Sequence, residues 1–146
     1  MRYLYGVIVI ACLLRTAGAT QDDTFKKELD SLQGVWQCVS FEEKGKALPE
    51  EQVKDLKLTF KGYKASHAGK GGKAEQATIK IDPLKKPKTI DMILLGGPDK
   101  GKTVQGIYVI EGDTLTICGS QAGRERPTEF KGGKEVNLMV FKRDKR

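Results

Sequence analysis

Apolar and polar residues alternate along much of the chain after residue 35. From Leu56 to Phe60, and again from Ala77 to Ile81, every second residue is apolar. A period of two residues is typical of a β-strand with one buried face and one face in water. Other runs rich in β-forming residues occupy residues 35–43, 90–95, 103–111, 114–118 and 136–143, and a short strand is expected at 62–67. The pattern therefore predicts about eight strands.

Glycine-rich turns separate these strands. The clearest is Glu111, Gly112 and Asp113, which lies between two strand-forming runs and predicts a tight hairpin. Gly106, inside a strand, is expected to mark a bulge or a close approach of another backbone. Short strands at this spacing are typical of a sandwich or a barrel. We expect an all-β antiparallel barrel, which at about eight strands is just wide enough for packed side chains or one small ligand.

Two short helices are predicted beside the strands. Residues 22–24 can cap a helix in which Phe25, Leu29 and Leu32 form one apolar stripe. A second helical segment is expected from Pro49 to Leu56, because proline suits a helix start and acidic residues follow it.

The first 19 residues have the order of a secretory signal peptide. Arg2 gives a positive start, residues 4–14 are apolar, and Ala17 and Ala19 offer a cleavage site. The apolar run is shorter than the roughly 20 residues that span a bilayer. We expect cleavage after Ala19, a single domain over residues 20–146, and export to the periplasm or the outside of the cell. An N-terminal core strand or a membrane anchor is the alternative.

The chain is basic, with 26 Lys and Arg, 19 Asp and Glu, and a net charge of +7. Arg2 and Arg15 lie in the leader, so cleavage leaves 24 basic and 19 acidic residues, a net charge of +5. Such a surface favours acidic partners, although dispersed charges more simply keep a domain soluble. The expected domain is a monomer with no transmembrane span after cleavage.

Cys38 and Cys118 remain after the leader is removed. An even pair in an oxidising compartment suggests a disulfide. Alternation, however, places Cys38 on the face of Trp36 and Cys118 on the face opposite Leu115 and Ile117. Two thiols on different sides of a wall cannot bond, so buried free thiols are the alternative.

From Gly96 to Thr103 the sequence matches the phosphate-binding P-loop pattern. That site needs a helix starting at the lysine, whereas Lys102 is followed by a strand-forming run. We therefore expect a hairpin connection and no bound nucleotide.

Catalytic, metal and nucleic-acid signatures are weak. His67 is the only histidine, and no nucleophile motif accompanies it. No Cys and His spacing suits a metal, and aromatic residues do not alternate with arginines as in single-strand nucleic-acid platforms. We expect no enzymatic activity, no cofactor and no nucleic-acid partner.

Residues 32–40, which include Gly34 and Trp36, resemble the Gly-x-Trp opening strand of lipocalin-type barrels. More specifically, the chain resembles an uncharacterised family of exported domains described mainly from planctomycete-type bacteria. The matching pieces are residues 32–36, 45–49, 58–60, 81–83, 86–91, 101–103, 106–108, 112–115 with Cys118, and 126–130.

The resemblance implies a lipocalin-like β-domain without an established activity. In lipocalins the opening tryptophan lies inside the closed end, beneath an arginine from the last strand. This implies a barrel-closing contact between Trp36 and Arg143, with a solvated Arg143 as the alternative. Arg126 is the other candidate to meet the tryptophan or a carboxylate.

The leading functional hypothesis is an exported binding domain of the cell envelope that carries a small apolar or amphipathic ligand. The expected lining residues are Leu58, Phe60, Ile79, Ile81, Met92, Leu94, Ile107, Val109, Leu115, Ile117, Leu138 and Val140. The same residues also describe a filled core, which small barrels commonly have. A domain with a filled core that binds an envelope protein through its basic surface is the alternative, and an envelope hydrolase is a remote one.

Overall fold

The computed structural model describes Gly18, residues 20–69 and residues 74–146. The predicted signal peptide lies outside the described residues, apart from Gly18. The helices are α1 (Gln21–Leu32) and α2 (Glu50–Val53). The strands are β1 (Gly34–Glu43), β2 (Lys46–Ala47), β3 (Lys57–Lys61), β4 (Lys64–Ala68), β5 (Glu75–Asp82), β6 (Lys88–Leu94), β7 (Thr103–Glu111), β8 (Thr114–Ser120) and β9 (Val136–Arg143).

The strands form a closed antiparallel barrel. Eight of them follow one another in the order β1-β3-β4-β5-β6-β7-β8-β9, and β9 pairs with β1 to close the wall. The two-residue strand β2 adds to the outer part of β1 as an extra hairpin. The all-β fold of about eight strands predicted from the alternation is therefore confirmed, and so is the lipocalin-like barrel that the resemblance implies.

The tight turn between β7 and β8 is where the sequence placed it. Glu111 pairs with Thr114, and Gly112 between them has a positive φ of 60°, a conformation that favours glycine. Gly106 lies in regular pairing with β8 rather than in a bulge, and a Cβ there would approach the Cys118 carbonyl oxygen to 3.0 Å. Of the two expectations for Gly106, the close approach is correct.

The closed end of the barrel is built on Trp36, which is fully buried. Its indole Nε1 donates a hydrogen bond of 2.8 Å to the carbonyl oxygen of Leu32, the last residue of α1. Leu32 is itself fully buried in the same apolar cluster. The end of α1 thus covers this end of the barrel, and burial of the apolar stripe on the helix holds it there.

Arg143 makes the contact implied by the resemblance to lipocalins. It pairs with Trp36 across the β1–β9 seam, and its guanidinium carbon lies 4.2 Å from the centre of the indole ring. The guanidinium also donates hydrogen bonds to the carbonyls of Gln33 at 3.0 Å and Ser31 at 2.9 Å. Because the last turn of α1 contains no basic residue, Arg143 supplies the positive charge that suits a helix C-terminus.

A second polar contact ties α1 to the barrel. The Glu28 carboxylate accepts hydrogen bonds from Lys88 Nζ at 2.8 Å and from the Tyr108 hydroxyl at 3.1 Å. Burial, followed by the nearby negative charge of Glu28, raises the pKa of Tyr108 far above its usual value. Tyr108 therefore stays protonated and continues to donate this hydrogen bond.

Both helices differ in detail from their predicted limits. The cap of α1 is Thr20, not a residue within 22–24, since the Thr20 side chain accepts a hydrogen bond from the Asp23 amide and the Asp23 carboxylate accepts one from the Thr20 amide. Helix α2 ends at Val53 rather than at Leu56. The Leu56 carbonyl instead accepts a hydrogen bond of 2.9 Å from the Cys38 amide, so the backbone at Leu56 is already bonded to β1.

Cys38 and Cys118 are both free and buried, so the structure has the alternative of two free thiols rather than the disulfide. Cys38 belongs to the interior cluster with Trp36. Cys118 pairs with Ile107 on the outer face, where its thiol lies 3.5 Å from the Glu129 carbonyl oxygen and 3.6 Å from that of Lys131. The wall separates the two sulfurs, as the strand phases indicated.

We expect Arg143→Lys to lower the free energy of unfolding by about 1–3 kcal/mol, because lysine keeps the charge but loses the planar stacking and the forked hydrogen bonds. Urea unfolding followed by the fluorescence of the single tryptophan measures this change. Arg146→Lys is the control, since Arg146 is exposed and its replacement should change stability by less than about 0.5 kcal/mol. Equal effects of the two replacements would contradict the role given to Arg143.

After removal of residues 1–19, which contain Cys12, we expect two titratable thiols in protein that is unfolded without reductant, and slow alkylation of both in the folded protein at pH 8. Burial raises the pKa of Cys38 from 9.0 to about 11. The resulting stabilisation is fully present below pH 9 and is lost as the pH rises towards 11, since only the unfolded chain then readily loses the proton. Cys38→Ala should weaken this alkaline loss of stability. Absence of free thiols in the unfolded protein would contradict the assignment.

Candidate ligand-binding cavity

A cavity of about 520 Å³ opens into the half of the barrel away from α1. On β9 its lining residues precede Arg143, and on β1 Phe41 follows Trp36 along the strand. The apolar part of its wall is formed by Phe41, Leu58, Ala65, Ala77, Met92, Leu94, Val104, Met139 and Phe141. This volume lies within the range of about 300–1,000 Å³ that is typical of small-molecule sites.

The two halves of the barrel interior differ because their side chains differ in size. Large buried residues such as Trp36, Phe60 and Tyr108 fill the closed half. The wall of the cavity instead includes Ala65, Ala77 and Gly119. The filled-core alternative therefore describes the closed half, and small residues leave space in the open half.

The rim of the cavity is polar and carries charges of both signs. His67 pairs with Glu75 across β4 and β5, and both are exposed. Asp99 forms an ion pair of 2.9 Å with Lys102, and Arg124 lies 3.5 Å from a Glu135 carboxylate oxygen. The other polar residues of the lining are Gln76, Ser120, Gln121 and Asn137. Apolar walls beneath a polar rim suit an amphipathic molecule.

The two polar residues on β8 and β9 differ in their hydrogen bonding. The Ser120 hydroxyl lies 2.9 Å from the Gln105 carbonyl oxygen and 3.2 Å from that of Arg124, so its donor is satisfied by backbone. Asn137 Oδ1 is buried and has no hydrogen-bond partner in the part of the chain that the structure describes. An unsatisfied buried acceptor is uncommon and calls for an explanation.

Eight of the predicted lining residues lie inside the barrel, in two groups. Leu58, Met92 and Leu94 line the cavity. The closed half contains Phe60, Ile79, Ile81, Leu115 and Ile117, which pack in the core.

The prediction was wrong for Ile107, Val109, Leu138 and Val140, which lie on the outer face of the wall. On β7 the interior residues are Tyr108 and Ile110, so the alternating Ile107 and Val109 face outwards. Leu138 pairs with Cys118 and Val140 with Thr116, also on the outer face. The error in β7 arose because residues 107–110 are apolar on both faces, which leaves the phase of the alternation undefined.

Cavity residues on β9 were missed although a signal for them was present. A strand places every second residue on one face, so an inward Arg143 also brings Phe141, Met139 and Asn137 inwards. The expected contact between Arg143 and Trp36 therefore conflicted with choosing Leu138 and Val140 as lining residues. A consistent phase along β9 would have identified Asn137.

Arg126 is not a barrel-closing residue, and it meets a carboxylate rather than the tryptophan. Its guanidinium forms an ion pair of 2.7 Å with Asp91 and donates a hydrogen bond of 2.8 Å to the Gly106 carbonyl oxygen. Asp91 alternates with the interior residues Ile90 and Met92, so this contact is on the outer face. Residues 126–131 lie against the outside of β7 and β8 and bury Ile107, which is 1% exposed.

The P-loop-like segment forms a hairpin connection, as the sequence indicated. Lys102 pairs with Asp99, and Thr103 immediately after it begins β7, which is antiparallel to β6. No helix N-terminus follows Lys102 to face a phosphate.

Within the described ranges, no group of three His, Cys, Asp or Glu side chains is placed to hold a metal ion. Among the same residues, no helix has the length and hydrophobicity needed to cross a membrane. Comparisons of the chain with protein-family models, curated proteins and solved structures found no significant match.

Proposed function

We propose that this chain is an exported, non-catalytic binding domain that carries a small apolar or amphipathic ligand. The observation that carries the proposal is the cavity of about 520 Å³ in one half of the barrel, with apolar walls and a polar rim. Each methylene group that leaves water for such a wall contributes about 0.8 kcal/mol. The rim can orient the polar end of the ligand while the apolar part accounts for most of the affinity.

His67 and Glu75 are opposite each other on β4 and β5, but this arrangement does not favour hydrolysis through a side-chain nucleophile. A histidine base needs a nucleophile within hydrogen-bonding reach. Ser120 is the only serine of the cavity lining in the described residues, and its hydroxyl lies against backbone carbonyl oxygens. Both described cysteines are buried, and burial raises the pKa of each thiol, which lowers its reactivity.

Export and family membership are part of the same proposal. The order of residues 1–19 supports a cleaved leader and a location in the periplasm or outside the cell. The ordered set of motifs between residues 32 and 130 supports membership of the exported-domain family that the chain resembles. A small monomeric carrier without a bound nucleotide is consistent with both.

We expect Leu94→Trp to weaken binding of a fluorescent fatty acid, 11-(dansylamino)undecanoic acid, by about tenfold or more, because the larger ring occupies the cavity. Ile93→Trp is the matched control, since Ile93 is the next residue on β6, faces outwards and is 40% exposed. Titration of the dansyl emission gives the Kd of each protein.

Wild-type protein that does not bind the fatty acid, or an equal loss in both variants, would contradict the cavity as the binding site. Native mass spectrometry of protein purified from its own envelope provides the independent measurement. A co-purifying lipid-like mass that is lost in Leu94→Trp supports the carrier, whereas a protein partner without such a mass supports the interaction domain.

A further inference from the structure

Asn137 is a polar residue of the cavity lining, near the start of β9. It lies on the inner face of β9, two residues before Met139, and pairs with Gly119 on β8. Asn137 is half-buried, whereas Arg124 and Glu75 of the same lining are exposed.

The amide is not satisfied by the described protein. Oδ1 is buried without a hydrogen-bond partner among the described residues, where no side-chain hydrogen bond of the Asn137 amide is found. An unpaired buried acceptor lowers the free energy of unfolding, whereas an apolar residue of similar shape would not carry this penalty. Such a group calls for an explanation, and a polar partner that the protein binds is one.

We propose that Asn137 binds the uncharged polar head of the carried ligand, and that this head contains a hydroxyl group. The inference rests on the proposed carrier function and names the chemical class of its ligand. An amide presents one acceptor and one donor side, and a hydroxyl can donate to Oδ1 while it accepts from Nδ2. Oδ1 is buried in the ligand-free protein, and because the terminal torsion of asparagine is broad, rotation of the amide can bring Oδ1 to the cavity.

An ionised head fits this position less well. Phe41, Val104 and Met139 line the same cavity, and a carboxylate among apolar groups would need a paired cation. Arg124 is the arginine of the lining, but it lies at the rim with an exposed side chain and already faces Glu135. The neutral amide therefore suits a neutral hydroxyl, with the alkyl part of the ligand extending along the apolar wall.

Two isomeric probes, decan-1-ol and 1-methoxynonane, test the inference. They have the same size, but only the alcohol can donate a hydrogen bond. We expect wild-type protein to bind the alcohol about 3- to 10-fold more tightly than the ether, measured by displacement of the dansyl fatty acid. Asn137→Leu should bind both equally and should raise the Tm of the ligand-free protein, because the unpaired acceptor is gone.

Gln52→Leu is the matched control, since it makes the same amide-to-alkyl change at an exposed position of α2 that does not line the cavity. It should keep the preference for the alcohol. Asn137→Ala serves the same purpose if Asn137→Leu does not fold.

The possible outcomes separate this inference from the carrier function. Equal binding of the alcohol and the ether to wild-type protein overturns the role of Asn137 and leaves the carrier intact. A preference that survives in Asn137→Leu or Asn137→Ala also overturns it. Failure of the wild-type protein to bind any of the three probes, with the two isomers titrated directly by calorimetry, overturns the carrier function itself.

Discussion

The guanidinium of Arg143 stacks on Trp36 and hydrogen-bonds to two carbonyls at the end of α1, with 4.2 Å between the guanidinium carbon and the indole centre. This one side chain joins the last strand of the barrel to the first strand and to the helix that covers its end. The last turn of α1 contains no basic residue of its own. The guanidinium of Arg143 therefore serves both the end of the helix and the indole ring that lies under it. The closed end is therefore one contact that joins α1 and β1, which are adjacent in the sequence, to β9 at the other end of the domain.

A filled closed end allows the other end to remain open. Large side chains such as Phe60, Tyr108 and Leu115 pack beneath Trp36 and account for the continuous apolar core. Glu28 adds a polar tie between α1 and β7 through the Tyr108 hydroxyl. Because the stabilising contacts are concentrated at this end, the strands can continue past them and enclose a cavity with small residues in its wall.

Alternation and turn chemistry were sufficient to predict an all-β sandwich or barrel, because the period of two residues and the glycine turns are local properties. The lipocalin-like barrel was implied by the resemblance to that family. The phase of β7 could not be obtained in this way, since its apolar residues occupy both faces and its outer face is buried by residues 126–131, which are distant in sequence. The same segment explains the partner of Arg126, a carboxylate on β6. On β9, by contrast, the position of Arg143 fixed the phase and would have shown Asn137 to be an inner residue.

The cavity has a direct energetic consequence for the protein that contains it. Apolar surface that Met92, Leu94 and Met139 leave facing the open half is not covered by protein, and burying such surface is worth about 25 cal/mol per Å². The uncovered apolar surface that lowers the stability of the ligand-free barrel is therefore the surface whose burial favours binding of a ligand. Binding then stabilises the folded state by mass action. Since the closed end lies away from the cavity, filling the cavity should add stability without rearranging the contact between Arg143 and Trp36.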